Sequence, residues 1–357
     1  MTTAVKVWEM VMSFAGYSFC KGHSCSYIRV AQHSCYLRAH YPAEFMAAVL
    51  ANGGGFYHPF AYVAEAMRMG LTVLPPDVNQ SQFRTIGRDR TVRVGFQFIK
   101  GLSAEAVQKI EKGKGEGRKE KEEGRKEQEE GGKREFTTFE DFHDRTQLKP
   151  EDLRLLVKVG ALDSIAGGMT RPMLLWRIDA EREQGTVRNS TGHPGSPSPF
   201  SLLPSPASRS PGDPPRLREY ATDHRRRMEY ELLGFTTDCH PMSLYREALG
   251  RVRALPSTEL SRHVGRSVVC AGMLTTAKPV HTIQDEPMEF ATFDDGAGLI
   301  ETVLFPDIYR SRGHVLFDQG PFLFRGKVEE EFGAITVTIT QIDRLDRVLE
   351  RARSRSQ

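Results

Sequence analysis

Beyond residue 263 the hydrophobic period of the sequence switches from helical to alternating, and this switch constrains the fold more than any other feature. Five strand-like runs follow, at 268–274, 288–293, 299–305, 322–328 and 335–340, with one helical stretch, about 306–316, between the third and the fourth. In the last run Ile335, Val337 and Ile339 are placed to face an interior while Thr336, Thr338 and Thr340 face out, because successive side chains of a strand alternate. Five strands with a helix after the third is the order of an OB-fold barrel.

Two stretches that cannot bury a core divide the rest of the chain. Residues 111–135 hold nine Glu, nine basic residues, six Gly and one Gln, which predicts a charged, disordered insertion. Residues 185–215 hold eight Pro, seven Ser and four Gly, and those prolines forbid regular helix and predict a linker. Ahead of both, residues 4–70 read as helical: a pattern through Leu37 breaks at Tyr41-Pro42, a second stops at Gly53, and a third, from about Pro59, ends at Gly70. Residues 83–86 and 91–94 flank Gly87-Arg-Asp-Arg90 and read as a small hairpin. The expected class is multidomain α+β.

The net charge of +3 is unevenly spread. Residues 1–110 carry 11 Lys/Arg against 6 Asp/Glu, whereas residues 264–348 carry 8 against 13, so a polyanion should prefer the N-terminal region. No apolar run is long enough to span a bilayer, and Lys6, Trp8 and Glu9 precede any apolar run, so neither a membrane nor a signal peptide is expected. Five cysteines, an odd number, predict reduced thiols in the cytoplasm. Cys20, His23, Cys25, His33 and Cys35 crowd together, but a helical pattern runs through them where structural zinc would need two paired knuckles; no metal site is expected.

Gln97-Phe-Ile-Lys-Gly-Leu-Ser-Ala-Glu-Ala-Val-Gln-Lys-Ile110 has the helix-hairpin-helix pattern. Gly101 permits the tight hairpin and Ser103 can cap the second helix, whose first N–H groups then offer a seat for one phosphate. A related stretch, residues 153–163, runs into Gly160 and reads as the second hairpin of a pair. Contacts of this kind hold DNA without reading its sequence. The expected DNA contacts are Lys100, Gly101 and Ser103 in the first hairpin, Lys158 and Gly160 in the second, and Arg325 and Lys327 on the barrel. On the barrel strands Phe290, Phe293 and Phe305 could stack bases or fill the interior. Further upstream, Phe14-Ala-Gly-Tyr-Ser-Phe-Cys-Lys-Gly-His-Ser24 presents Lys21 and His23 beside Ser24 at a helix start. That arrangement suits a triphosphate or a DNA phosphate, and equally a solvated lysine with a core histidine.

Phe14 to Ser24, continuing through Tyr36-Leu-Arg-Ala-His-Tyr-Pro-Ala-Glu-Phe-Met46, resembles the fingers of bacterial C-family DNA polymerases of the DNA polymerase III alpha type. Leu74-Pro-Pro-Asp-Val-Asn79, Ile99-Lys-Gly101, Gly160-Ala-Leu-Asp163, Glu231-Leu-Leu-Gly-Phe235 and His240-Pro241 continue the likeness in the family's order. The resemblance implies the C-terminal part of the fingers at 1–80, a tandem helix-hairpin-helix module at 81–184, a helical connector at 216–263, an OB-fold domain at 264–348 and a tail at 349–357. It implies template-directed nucleotide addition on primer-template DNA, with Lys21, His23 and Ser24 on the dNTP side of the fingers.

By the same resemblance the palm carboxylates belong upstream of Phe14, so no catalytic residue is expected here and the Mg²⁺ ligands of the complete polymerase lie outside the chain. A palm-bearing N-terminal portion is the implied partner. The acidic pair Asp294-Asp295 precedes Gly296 and reads as a turn. For the sliding clamp the matching region offers Pro199-Phe-Ser-Leu-Leu203, and the end at Gln357, soon after the barrel, inclines the reading toward the error-prone branch. A standalone DNA-binding accessory protein and a non-functional gene fragment stay open as alternatives.

Overall fold

The computed structural model describes residues 3–15, 21–53, 55–115, 134–189, 214–318 and 320–355. Four helices come first: α1 (Thr3–Ala15), α2 (Lys21–His40), α3 (Pro42–Ala51) and α4 (Pro59–Arg68). Pro42 and Pro59 stand in first turns, where a missing N–H leaves no bond unmade. Ala43, Met46, Ala47 and Leu50 bury one face of α3, and Phe60, Val63, Ala64 and Ala66 bury one face of α4. Gly70, at φ +73, turns the chain into a small sheet of β1 (Thr72–Leu74), β2 (Ile86–Arg88) and β3 (Thr91–Arg93), ordered β1-β3-β2. β2 and β3 form the expected hairpin, and Asp89 and Arg90 take left-handed backbone at its turn. The parallel third strand, β1, escaped the sequence because three residues are too few to show a period.

Helices α5 (Ala104–Gly115), α6 (Phe139–Thr146), α7 (Pro150–Val159) and α8 (Arg171–Asn189) follow, then α9 (Thr222–Leu233) and α10 (Arg246–Val252). Two expected boundaries move. Residues 111–115, assigned by composition to the insertion, continue α5, with Gly113 and Lys114 buried. Lys114 Nζ donates to Ser81 O at 2.7 Å and lies over the Phe96 ring, so its long apolar stem packs while its charge is satisfied. Likewise α8 runs through residue 189, past the expected start of the linker at 185.

The barrel strands are β4 (Ser267–His281), β5 (Pro287–Asp294), β6 (Leu299–Leu304), β7 (Phe322–Glu331) and β8 (Ala334–Arg344), with α11 (Pro306–Arg312) between β6 and β7. They close in the order β4-β5-β6-β8-β7, the OB-like arrangement anticipated from the runs. Val337 and Ile339 bury with Phe293, Phe322 and Phe324. The chain continues as α12 (Leu345–Arg355), so residues expected as a tail are helical and Leu345 is fully buried. Ala271 and Met273 of β4 belong to the core of the helical body, which joins the two units through shared apolar surface. No helix of the described residues is long and apolar enough to cross a membrane.

Candidate nucleic-acid interface

After β3, Gly95 N donates to Thr85 Oγ1 and a 3-10 turn at Phe96–Phe98 stands where the first helix of the hairpin motif was expected. Gly101 is exposed at φ +84 and turns the chain into α5. Ser103 Oγ accepts from Ala106 N at 3.0 Å, the expected cap. A third partner was not legible: Ser103 N and Oγ both donate to the buried carboxylate of Asp152, in the first turn of α7, at 3.1 Å. One carboxylate therefore already lies against the start of α5. Among the described residues the N–H groups of Gly101, Ala104 and Glu105 have no acceptor, so this side of the turn still offers donors beside exposed Lys100.

The second hairpin departs from expectation. Gly160 is buried and ends α7 in left-handed backbone, its N–H donating to Val157 O, so it lies at the negative end of a helix. A Cβ at Gly160 would stand 2.1 Å from Arg171 Nη2. Arg171 reaches Asp163 at 2.7 Å and donates to Lys158 O at 3.2 Å, filling the space where a phosphate was expected. Lys158 is half-buried in the last turn of α7. The start of α8 is also engaged from within: Thr170 Oγ1 accepts from Met173 N, and Arg171 N donates to Glu219 Oε2 at 3.1 Å. Of the two glycines that the sequence assigned to hairpins, Gly101 is exposed and Gly160 is buried.

The end of α9 supports that turn. Lys100 N donates to Leu232 O at 2.9 Å, and the Phe235 ring stands 5.3 Å from that of Phe98. His58 lies close by, and its pKa is lowered by burial and then by the Lys100 charge. These contacts give a physical role to the Glu231–Phe235 stretch, which the sequence marked only through family likeness.

Lys21 and His23 stand in the first turn of α2, and their side chains lie outside the described residues, as do residues 16–20. Ser24 is half-buried. Residues 199–203 also lie outside them. Cys25 and Cys35, both exposed, are ten residues apart on α2, a separation of about 15 Å at the helical rise, too far to hold one ion. On the barrel, Arg325 and Lys327 are exposed on β7, and Lys327 Nζ is 3.2 Å from Glu329. Phe293 fills the interior, while Phe290 and Phe305 are about half exposed. Asp294 accepts from Arg68 at 2.9 Å and from Gly296 N; Asp295 accepts from Ser257, Ala297 N and Gly298 N. The pair makes a turn, and protein donors occupy its oxygens.

A helix-hairpin-helix turn beside a five-stranded OB-like barrel defines a nucleic-acid-binding class of architecture. Residues 70–172 match the family model described as helix-hairpin-helix motif. The DNA polymerase III subunit alpha of Saccharopolyspora erythraea is 28% identical over 93% of this chain and 27% of its own length. The error-prone DNA polymerase of Bdellovibrio bacteriovorus is 29% identical over 93% of this chain and 30% of its own. The DNA polymerase III subunit alpha of Bacillus subtilis is 27% identical over 96% and 29%. Along nearly its whole length the chain is similar to these DNA polymerase III alpha and error-prone DNA polymerases, and it spans under a third of the length of these relatives.

Proposed function

We propose that this chain is the DNA-handling C-terminal portion of a bacterial DNA-directed DNA polymerase of the DNA polymerase III alpha type, acting in replication or in error-prone repair synthesis. The observation that carries the reading is the match along 93–96% of the chain to such polymerases, joined to an exposed Gly101 turn with free backbone donors beside Lys100. Donors of that kind take the sugar–phosphate backbone of primer-template DNA whatever its sequence. Lys21, His23 and Ser24, at the start of α2, are assigned to the incoming dNTP, and residues 199–203 to the sliding clamp.

Nucleotidyl transfer is assigned to a palm-bearing N-terminal portion, which also holds the Mg²⁺ ions. In support of that assignment, protein donors take up the oxygens of Asp294 and Asp295, the acidic pair that the sequence offers. The need for a partner is supported by α1 and α2, which expose Trp8, Tyr27, Ile28 and Val30 at 63–65% of their surface. Large apolar side chains exposed to this degree fit an interface better than water.

The test uses labelled primer-template, dNTPs and Mg²⁺. The chain alone should bind the DNA and extend nothing; combined with the N-terminal portion of one of its relatives it should extend the primer. Extension by the chain alone would place catalytic carboxylates within it. Binding without rescue would make it an accessory protein. In the reconstituted enzyme Lys21→Ala should raise the KM for dNTP or slow incorporation.

A further inference from the structure

The β2–β3 hairpin carries a concentration of positive charge that the motifs above do not use. Residues 84–93 hold Arg84, Arg88, Arg90 and Arg93 against one acid, Asp89, a local balance of 4 − 1 = +3. Several arginines elsewhere in the helical body, Arg68, Arg145, Arg154 and Arg171 among them, are tied into ion pairs. Arg84 is exposed and has no carboxylate partner among the described residues. Arg88 meets only its neighbour Asp89, with both side chains close to 90% exposed, a pairing that water and salt nearly cancel.

The sheet gives Arg88 and Arg93 a common direction. Val92 and Gly87 face inward, Gly87 so closely that a Cβ there would stand 2.1 Å from Ala43 O of α3. By strand alternation Ile86 and Arg88 therefore face outward on the edge strand, opposite Arg93 and Thr91 of β3. Together with Leu74 and Gln80 they line a shallow hollow of about 140 Å³ with guanidinium, amide and hydroxyl groups and no carboxylate. Arg93 is anchored to Pro75 O and Gln80 Oε1, which fixes one wall, while Arg88 is held only by its exposed pairing with Asp89. The strand leading into this edge is joined to the Gly101 turn: Phe96 N donates to Gln82 O and Gln97 N to Phe83 O, both at 3.0 Å. Arg84 and Lys100 therefore flank one continuous backbone unit.

We propose that the outer face of the β2–β3 hairpin is a second phosphate-contact surface, taking the sugar–phosphate backbone of duplex DNA through Arg84 and Arg88 next to the Lys100–Gly101 turn. The proposal rests on the reading that the chain holds duplex. A planar guanidinium takes two phosphate oxygens at once, and an edge strand facing solvent can lie along a backbone without distorting it.

The full chain is titrated with a fluorescent duplex at several salt concentrations, and the slope of log affinity against log salt is compared for wild type, Arg84→Ala/Arg88→Ala and Arg312→Ala. Two lost phosphate contacts should make the slope shallower by about 1.8, at roughly 0.9 for each. Arg312→Ala, on exposed α11, should leave it unchanged. Both hairpin arginines are exposed, so the melting temperature should hold; Arg84→Gln/Arg88→Gln repeats the test if it does not. An unchanged slope in the double variants, with wild type still binding in a salt-dependent way, overturns the second surface and leaves the reading of duplex binding intact. Failure of wild type to bind duplex overturns that reading and this surface with it. A slope change confined to single strands assigns the face to a different ligand and also overturns the proposal.

Discussion

Asp294 is fully buried where three segments meet: its carboxylate accepts from Arg68 of α4 at 2.9 Å, lies 3.4 Å from His240 Nε2, and holds Gly296 N in the barrel's β5–β6 turn. Removing one partner of a buried pair leaves the others desolvated and unpaired. Because Arg68 is partly exposed, Asp294→Ala should cost toward the lower end of the roughly 3–5 kcal/mol typical of such a break, read as a lower urea midpoint. His240 adds a pH dependence. Its pKa is lowered chiefly by burial, with the Arg68 charge in the same direction and Asp294 and Asp295 opposing. Above an unfolded pKa near 6.5 both states are neutral and this stability is fully present; as pH falls below it, the unfolded chain takes a proton that the folded site resists, and stability is lost. His58 is shifted in the same direction. His240→Asn can still accept from Met242 N as the cap does now, so its melting temperature should fall less than wild type between about pH 7.5 and 5.5. The sequence marked Asp294-Asp295-Gly296 as a turn from residue type alone; that it also joins the barrel to α4 depends on Arg68, 226 residues away, and no local pattern reports that.

At the scale of elements, the two hairpin glycines looked alike in sequence and differ in space. Gly101 and Gly160 both have φ above +80°, but a Cβ at Gly101 would meet only Leu155 Cδ1 at an ordinary 3.5 Å, whereas one at Gly160 would collide with the Arg171 guanidinium. Gly101→Ala should therefore cost only the left-handed backbone penalty, about 1–2 kcal/mol, and Gly160→Ala clearly more, seen as a larger drop in melting temperature. The helix after Gly101 was legible because Ser103 and the Ala106, Val107, Ile110 spacing are local signals; the Asp152 contact was not, because it comes from another helix. The charged insertion leaves and re-enters through a closed neck. Arg134 N donates to Lys114 O at 3.0 Å, and Arg145 bridges Gly113 O and Arg134 O. With its ends already joined, replacing residues 116–133 by a short Gly/Ser loop should leave the melting temperature unchanged or slightly raised, since a shorter loop costs less to close. A large drop would show that the insertion packs on the body.

Across the whole molecule the barrel and the helical body are not separable beads, although the change of hydrophobic period divides them sharply in sequence. Ala271 and Met273 sit in the helical core, and Arg68 reaches into the barrel, so deleting residues 264–345 would expose apolar surface and confound any binding measurement. Where DNA is held must be asked by charge reversal in place. The barrel block carries 8 basic against 13 acidic residues, and Lys327 is already paired with Glu329, so its field opposes a polyanion even though Arg325 and Lys327 are exposed. Lys100 is exposed beside the free N–H groups of the Gly101 turn, in a region with 11 basic against 6 acidic residues. Lys100→Glu should therefore weaken duplex binding roughly tenfold, about 1.4 kcal/mol, while Arg325→Glu/Lys327→Glu together cost less, measured as Kd at one fixed salt concentration. If the barrel pair costs more than Lys100 does, the duplex lies across the barrel, and the hairpins serve mainly to hold the helical body together.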